Sequence, residues 1–267
     1  MRNLHRALRY GALRDLCGFL NDAAKEDDLV KHDILVFDLD GTLCPVGKGM
    51  REEDAALLRT LEDAGFTIVI CSGKTTYYLC GFCRQLGLKA PVMVGENGGA
   101  VQFGIDLPPK HFAQYPVPSA QKEILGMLRR KIDAVCGDHV WYQPNEVQLT
   151  PFPQEEEVFG IIRGILEKHR EELAGIEVYE QIDCFDIVPS GINKQNGLRF
   201  LSTLMEAERE RFLVVGDGVN DIPMFAFGDF SILVRKERNT EGFEEAEVDL
   251  VMPDIHEAMQ YILEHEQ

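Results

Sequence analysis

The stretch "DILVFDLDGT", residues 33–42, joins a short apolar run directly to two aspartates. The run Ile34 to Phe37 contains only large apolar residues, which is typical of a strand that is buried on both faces of a sheet. Asp38 and Asp40 follow at the end of this run, with one residue between them. The stretch therefore predicts a buried parallel strand that carries two carboxylates at its end.

The same design occurs twice more, in "FTIVICSGKT" at 66–75 and in "RFLVVGDGVND" at 211–221. Between the first two runs, residues 51–66 show a helical pattern that closes on a glycine, which predicts a βαβ unit. The carboxyl ends of parallel strands meet at one edge of a sheet, where ligands bind. We therefore expect five polar side chains to converge there: Asp38, Asp40, Ser72, Asp217 and Asp221.

A second domain is indicated by the span between Ser72 and Lys194, which is several times longer than one helix-and-strand crossover. Residues 140–152 and 176–188 alternate like half-exposed strands, and two amphipathic helical patterns accompany them. The fold class is thus α/β, with a Rossmann-like parallel-sheet core and an inserted α+β cap domain. The predicted parts are an N-terminal amphipathic segment at 1–30, a catalytic core at 31–101 and 189–267, and the cap at 102–188.

The N-terminal stretch "MRNLHRALRYGALRDLCGFL", residues 1–20, is basic and amphipathic. It has no continuous apolar run and no small-residue cleavage site, so a secretory signal is not predicted. We expect a helix that docks ahead of the domain; its arginine content leaves an organellar transit peptide open as the alternative.

The composition limits the partners of this chain of 267 residues, whose net charge is −18. Such a charge repels nucleic acid and anionic membrane surfaces, so neither is an expected partner. No apolar run approaches the roughly 18 residues of a membrane span. The seven cysteines are odd in number and scattered, which favours a reducing, cytoplasmic compartment over a disulfide framework.

Two short motifs suggest other chemistry. Residues 72–75 read Ser-Gly-Lys-Thr, the ending of a nucleotide-binding P-loop, but that loop needs glycine at position 68, where Ile68 lies inside the predicted strand. Cys80 and Cys83 form a CxxC pair like that of thiol redox proteins. A redox pair should open a helix directly after a strand, whereas these two fall inside the helix. We expect them to be small apolar residues, with a redox pair as the alternative.

The converging residues suit phosphoryl transfer. One carboxylate of the Asp38–Asp40 pair can attack phosphorus and form an aspartyl phosphate, and the other can exchange protons with the leaving oxygen and with water. Thr42 can offer its hydroxyl or amide to phosphate oxygens. Asp217 adds negative charge that Mg²⁺ would neutralise. Lys194 would neutralise charge on the phosphoryl group.

In this order, the four motifs "DLDGT", Ser72, Lys194 and "GDGVND" resemble those of the haloacid dehalogenase superfamily of phosphohydrolases, over about Ile34 to Pro253. The resemblance implies that Asp38 is the nucleophile and Asp40 the general acid and base.

The residue chemistry and the resemblance together give two sets of expected ligands. The residues that would contact substrate phosphate are Thr42, Ser72, Gly73, Asn97, Lys194 and Asn220. The residues at the Mg²⁺ site would be Asp38, Asp40 through its backbone carbonyl, Asp217 and, in support, Asp221.

The position of the insertion is similar to a type II (C2-type) cap, and "GENGGAV" at 95–101 resembles the Cof-like subgroup. "CSGKT" with "ENGGA" is also similar to the mannosyl-3-phosphoglycerate phosphatase branch. Two departures leave the substrate open. The third motif reads "NKQNG" instead of Lys-Gly, and "CFDIVPSG" at 184–191 lacks that branch's Gly-Gly-Arg-Phe-like signature.

The resulting hypothesis is a Mg²⁺-dependent phosphohydrolase for a small phosphorylated metabolite, a sugar phosphate or related phosphoester. Two alternatives stay open at this stage. One is a phosphomutase of the phosphomannomutase type, and the other is a non-catalytic sensor that binds phosphate. The sequence does not predict the oligomeric state.

Overall fold

The computed structural model describes residues 31–234 and 248–266, together with the backbone of Leu8–Tyr10. The strands are β1 (Leu8–Tyr10), β2 (Ile34–Phe37), β3 (Thr67–Cys71), β4 (Val92–Gly95), β5 (Ala100–Phe103), β6 (His111–Gln114), β7 (Val140–Tyr142), β8 (Pro151–Pro153), β9 (Ile176–Glu180), β10 (Phe185–Pro189), β11 (Phe212–Gly216), β12 (Phe230–Val234) and β13 (Leu250–Met252). The α-helices are α1 (Glu52–Asp63), α2 (Thr76–Leu86), α3 (Ser119–Cys136), α4 (Glu156–Lys168), α5 (Lys194–Met205), α6 (Ile222–Phe225) and α7 (Ile255–His265).

The chain divides into two compact units. One comprises Gln114–Ile192, and the other is formed from the chain before and after it. The boundary predicted at residue 102 falls inside β5, which pairs antiparallel with β4 and so belongs to the core sheet. The predicted boundary at 188 likewise cuts β10, which is part of a hairpin.

The core unit contains a nine-stranded sheet in the order β1-β6-β5-β4-β3-β2-β11-β12-β13. β2 lies in the interior of this sheet and pairs in parallel with β3 and with β11, so that Val36 lies between Val69 and Val214. These are the three strands predicted from the sequence, and the predicted parallel α/β core is confirmed.

The predicted helix at the N-terminus is wrong for the part that the structure describes. Leu8–Tyr10 form β1, which pairs antiparallel with β6 and satisfies backbone groups at that edge of the sheet. The rest of the predicted segment lies outside the described residues.

Helices cover the buried strands of the core. α1 presents Leu58 and Leu61, which are fully buried with Leu35 of β2, Ile68 of β3 and Ile262 of α7 in one apolar cluster. Every residue of β2 and β11, and every residue of β3 but the first, is buried, which explains their unbroken apolar sequences. No helix among the described residues has the length and apolar character needed to cross a membrane.

The second unit, Gln114–Ile192, is an α+β domain with its own core. β7 pairs with β8 and β9 with β10, both antiparallel, and the bridge between Leu149 and Ile187 joins the two hairpins. α3 and α4 supply Leu128 and Ile162 to an apolar cluster that also contains Phe185. The sequence stretch 140–152 therefore holds two short strands.

A buried histidine holds the start of the central strand. The side chain of His32 is 2% exposed, and its Nδ1 lies 2.8 Å from Oε2 of Glu266 while its Nε2 lies 3.1 Å from Oδ2 of Asp229. These contacts connect the residues before β2 and β12 to the end of α7.

We predict that His32→Leu lowers the free energy of unfolding by about 2 kcal/mol, because two largely buried carboxylates lose their partner. Lys31→Met is the matched control: Lys31 contacts the same Asp229 at 3.2 Å, but its side chain is 70% exposed. This control should change stability by less than about 0.5 kcal/mol. Urea denaturation measures both, and equal effects would contradict the prediction.

Candidate active site

The site lies where the three central strands end. Asp38 follows β2, and its backbone N–H donates to the carbonyl of Val215 on β11 at 3.0 Å. Ser72 follows β3, and its backbone N–H donates to the carbonyl of Val94 on β4 at 2.9 Å. The parallel register thus continues one residue beyond the strands and aligns Asp38 and Ser72 at one edge of the sheet.

The turn after β2 packs against Asp217. Gly41 has a φ of +99°, and a Cβ at this position would collide with the Asp217 carboxylate, so both the backbone and the space require glycine. The buried hydroxyl of Thr42, predicted to contact phosphate, donates to Oδ1 of Asp217 at 3.0 Å. In this structure Thr42 therefore orients a carboxylate.

Lys194 is the buried cation of the site. It is the first residue of α5, whose start is capped by the side chain of Asn193, the acceptor for the N–H of Asn196 at 2.9 Å. Nζ of Lys194 donates to Oδ1 of Asp38 at 2.5 Å and to Oδ1 of Asp221 at 2.6 Å. Burial alone would lower the pKa of Lys194, but Asp221 and Asp38 outweigh it and raise that pKa. Lys194 is therefore charged and joins two carboxylates.

Asp221 is fully buried and holds the loop after β11. Its Oδ2 accepts the backbone N–H groups of Asp217 at 2.9 Å and Gly218 at 3.1 Å, while its Oδ1 accepts from Lys194. A Cβ at Gly216 would lie 2.6 Å from Cγ of Asp221. Both carboxylate oxygens of Asp221 thus already accept hydrogen bonds. This suits a residue that holds the neighbouring loop and Lys194 in place and does not bind a metal ion directly.

In the described part of the chain, three carboxylates of the cluster meet one ammonium group. Carboxylate oxygens of Asp38, Asp217 and Asp221 lie within 4.8 Å of one another, and Lys194 is the one ammonium that bonds to this group in the described part of the chain. Oδ2 of Asp38 is buried and has no hydrogen-bond partner there. Burial raises the pKa of Asp38 to about 7, although Lys194 acts to lower it.

These features fit a divalent cation with a preference for oxygen ligands. Asp38, Asp217 and Asp221 offer carboxylate oxygens close together, and such oxygens are the ligands that this kind of ion binds. Asp38 and the half-buried Asp217 are the residues that could hold such an ion.

A second turn brings Ser72 and Asn97 together. Ser72 is buried, its carbonyl accepts the N–H of Asn97 at 3.0 Å, and its Oγ accepts the N–H of Lys74 at 3.3 Å. A Cβ on Gly73 would lie 3.2 Å from Oδ1 of Asn97. Three of the predicted phosphate-binding residues, Ser72, Gly73 and Asn97, therefore lie side by side.

Gly197 allows a close backbone contact beside the site, and the sequence did not predict this contact. A Cβ on Gly197 would collide with Cα of Gly98, and a Cβ on Gly98 would lie 2.5 Å from the carbonyl oxygen of Asn193. The turn at 96–98 thus packs directly on the first turn of α5, which carries Lys194. The sequence feature that could have predicted this contact is a glycine inside a helix. A glycine there lowers helix stability by about 1 kcal/mol relative to alanine, which indicates that close packing requires it.

Two other predicted residues are placed differently. Asn220 is exposed, and no hydrogen bond in the described part of the chain joins its side chain to the carboxylates. The side chain of Asp40 is 27% exposed and forms an ion pair with Lys74, with Nζ and Oδ2 3.5 Å apart.

The cysteine pair lacks the features of a redox site. Cys80 and Cys83 are free thiols, fully buried inside α2. Burial raises the pKa of both thiols. The reactive thiolate is therefore disfavoured, and the expectation of small apolar residues in a helix is confirmed.

The fold and this site define a phosphatase of the haloacid dehalogenase superfamily. Within it, a family model described as sucrose-6F-phosphate phosphohydrolase matches residues 31–251, and the chain belongs to that family.

Curated relatives and solved structures agree with this assignment. The chain is 28% identical over 210 residues to a phosphoglycolate phosphatase of Methanosarcina mazei, a match that covers 77% of this chain and 84% of the relative. It is 22% identical over 242 residues to that of Archaeoglobus fulgidus, covering 88% and 98%.

The structural matches show the fold. A haloacid dehalogenase-like hydrolase from Bacteroides thetaiotaomicron superposes with a TM-score of 0.69 at 18% identity, covering 87% of this chain and 100% of that one. The sucrose-phosphatase of Synechocystis, solved with sucrose and phosphate, has a TM-score of 0.58 at 18% identity, covering 88% and 98%.

We predict that Gly197→Ala destabilises the fold and lowers phosphatase activity at least about 10-fold, because the added methyl group displaces α5 and with it Lys194. Gly81→Ala in α2 is the control, since a Cβ there meets nothing within 4 Å. This control should keep full activity and gain up to about 1 kcal/mol. Activity assays and thermal unfolding measure both, and a fully active Gly197→Ala would contradict the prediction.

Proposed function

We propose that the chain is a Mg²⁺-dependent phosphohydrolase that cleaves a small phosphorylated metabolite through an aspartyl phosphate on Asp38. The observation that carries this proposal is the asymmetry of the Asp38 carboxylate. Lys194 binds one of its oxygens, while the other is buried without a hydrogen-bond partner in the described part of the chain. A buried, unsolvated and oriented carboxylate oxygen is suited to attack on phosphorus.

In the proposed reaction, Asp38 is the nucleophile and Asp40 transfers protons. Asp38 attacks phosphorus, so that a new bond from its carboxylate oxygen to phosphorus forms as the bond to the leaving oxygen breaks. Asp40 gives a proton to that leaving oxygen and later removes one from the water that hydrolyses the aspartyl phosphate.

Other groups bind the phosphoryl oxygens during both steps. The Ser72 hydroxyl and the Lys194 ammonium donate to them, and Gly73 and Asn97 line the same turn. Asn220 stays a prediction without structural support. Asp38, the Asp40 carbonyl and Asp217 would hold Mg²⁺, with Asp221 in support. When bound, the ion offsets the carboxylate charge and that of the phosphoryl group.

For the substrate, we propose a sugar phosphate or a related phosphoester. The description of the matching family and the sucrose-phosphatase structure support a sugar phosphate. The relatives named phosphoglycolate phosphatase support phosphoglycolate as a second candidate. Comparing kcat/KM for sucrose 6-phosphate, hexose phosphates and phosphoglycolate separates the two.

The same assay tests the two other hypotheses. A phosphatase releases one inorganic phosphate for each substrate molecule consumed, whereas a phosphomutase returns the phosphate to its substrate. A sensor shows no turnover of any substrate in the panel. We also propose a cytoplasmic location, which the free and buried thiols of the described cysteines support. We propose no nucleic-acid or membrane partner, because the net charge of −18 repels both.

We predict that Asp38→Asn lowers phosphate release by about 10³-fold or more, because the amide cannot form the phosphoenzyme. Mass spectrometry of the wild-type chain quenched during turnover should find phosphate on the peptide that contains Asp38, lost after hydroxylamine treatment. Asp63→Asn, an exposed carboxylate of α1, is the control and should be fully active. An active Asp38→Asn variant would overturn the proposal.

We predict that chelation with EDTA abolishes activity and that Mg²⁺ restores it. Asp217→Asn should raise the Mg²⁺ concentration for half-maximal activity at least about 10-fold, since one charged ligand is lost. Asp106→Asn changes an exposed carboxylate and should leave that concentration unchanged. Titration of activity with Mg²⁺ measures this, and equal curves for all three proteins would contradict the assignment of Asp217.

A further inference from the structure

Lys74 has a fixed backbone next to the phosphate-binding turn. Its N–H donates to Oγ of Ser72 at 3.3 Å, and its carbonyl accepts the N–H of Glu96 at 2.9 Å. A Cβ at Gly95 would lie 2.8 Å from the same carbonyl oxygen, so the ends of β3 and β4 enclose this residue closely. Its side chain is 36% exposed, and these backbone contacts fix the position of its Cα beside Ser72.

The backbone of Asp40 is fixed in the same way. It forms a bridge with Cys44, and the N–H of the next residue, Gly41, donates to the Cys44 carbonyl at 2.8 Å. Its carboxylate reaches Lys74, with Oδ2 3.5 Å from Nζ. Among the residues that the structure describes, no other basic side chain forms an ion pair with Asp40. Lys194, the buried cation of the site, pairs with Asp38 and Asp221.

Such a half-exposed pair contributes little to stability, because water screens both charges. Its effect is geometric. It holds one oxygen of the Asp40 carboxylate near Lys74, and it connects the turn after β2 to the turn after β3. A proton donor must be held in place to act on a substrate oxygen, and small displacements lower the rate strongly.

We propose that Lys74 is a positioning residue for proton transfer. It binds Oδ2 of Asp40 and leaves Oδ1 to carry the proton toward the leaving oxygen. As the bond between phosphorus and that oxygen breaks, its electron pair stays on the oxygen and takes the proton from Asp40, while Lys74 keeps its own protons. This inference rests on the proposed function, in which Asp40 is the general acid.

Aryl phosphates with different leaving groups test the role directly. p-Nitrophenolate is a weak base and leaves with little need of a proton, whereas phenolate is more basic and depends on the acid. Lys74→Met should lower kcat/KM, which reports the step in which the leaving group departs, about 10-fold or more for phenyl phosphate and less than about 3-fold for p-nitrophenyl phosphate. Lys74→Arg should restore most of the loss. Lys89→Met, which removes an exposed ion pair with Asp63, should change neither rate.

A double-mutant cycle with Asp40→Asn gives a second measure. Once Asp40 has no proton to position, adding Lys74→Met should cause no further loss with phenyl phosphate. Equal losses of kcat/KM with both esters, or additive losses in the cycle, would overturn the role of Lys74. A change in KM alone would also overturn it and would show that Lys74 contacts the substrate.

The control Asp38→Asn separates this outcome from failure of the proposed function. If Asp38→Asn retains activity, the aspartyl-phosphate reaction is wrong and the role of Lys74 falls with it. If Asp38→Asn is inactive and Lys74→Met affects both esters alike, only the positioning role is wrong.

Discussion

The buried ammonium group of Lys194 is the interaction on which the site depends. It binds Asp38 and Asp221 at the same time, and Asp221 in turn holds the loop that presents Asp217. Without this cation, three carboxylates would lie together in a poorly solvated place, where like charges repel strongly. The fold brings Lys194 there by starting α5 at this residue, so that the start of the helix and the conformation of the loop after β11 depend on the same ammonium group.

Much of this arrangement could be predicted, because in a parallel sheet the residues that follow each strand lie at the same edge of the sheet. Three apolar runs, each followed by a polar turn, were enough to predict that Asp38, Ser72 and Asp217 follow neighbouring strands. The structure pairs β2 in parallel with β3 and with β11, the three strands that this pattern predicted. The cysteine pair was predictable for a similar reason, since its distance from the strand end places it inside α2.

What the sequence did not predict depends on contacts between distant segments. The hydroxyl of Thr42 could have bonded to phosphate or to a neighbour, and only the fold shows that Asp217 lies within reach. The pairing of β1 with β6 joins residues far apart in the chain, and a helical pattern of apolar residues carries no information about it. The domain boundary was misplaced because β5 returns antiparallel to β4 before the inserted unit begins.

The contact between Gly98 and Gly197 has a consequence for how this protein can change over time. Each backbone occupies the space that a side chain on the other would need. A mutation at either position therefore cannot be absorbed by repacking side chains; it has to move the helix that carries Lys194. Two residues without any functional group thereby constrain the position of the ammonium group that the site depends on.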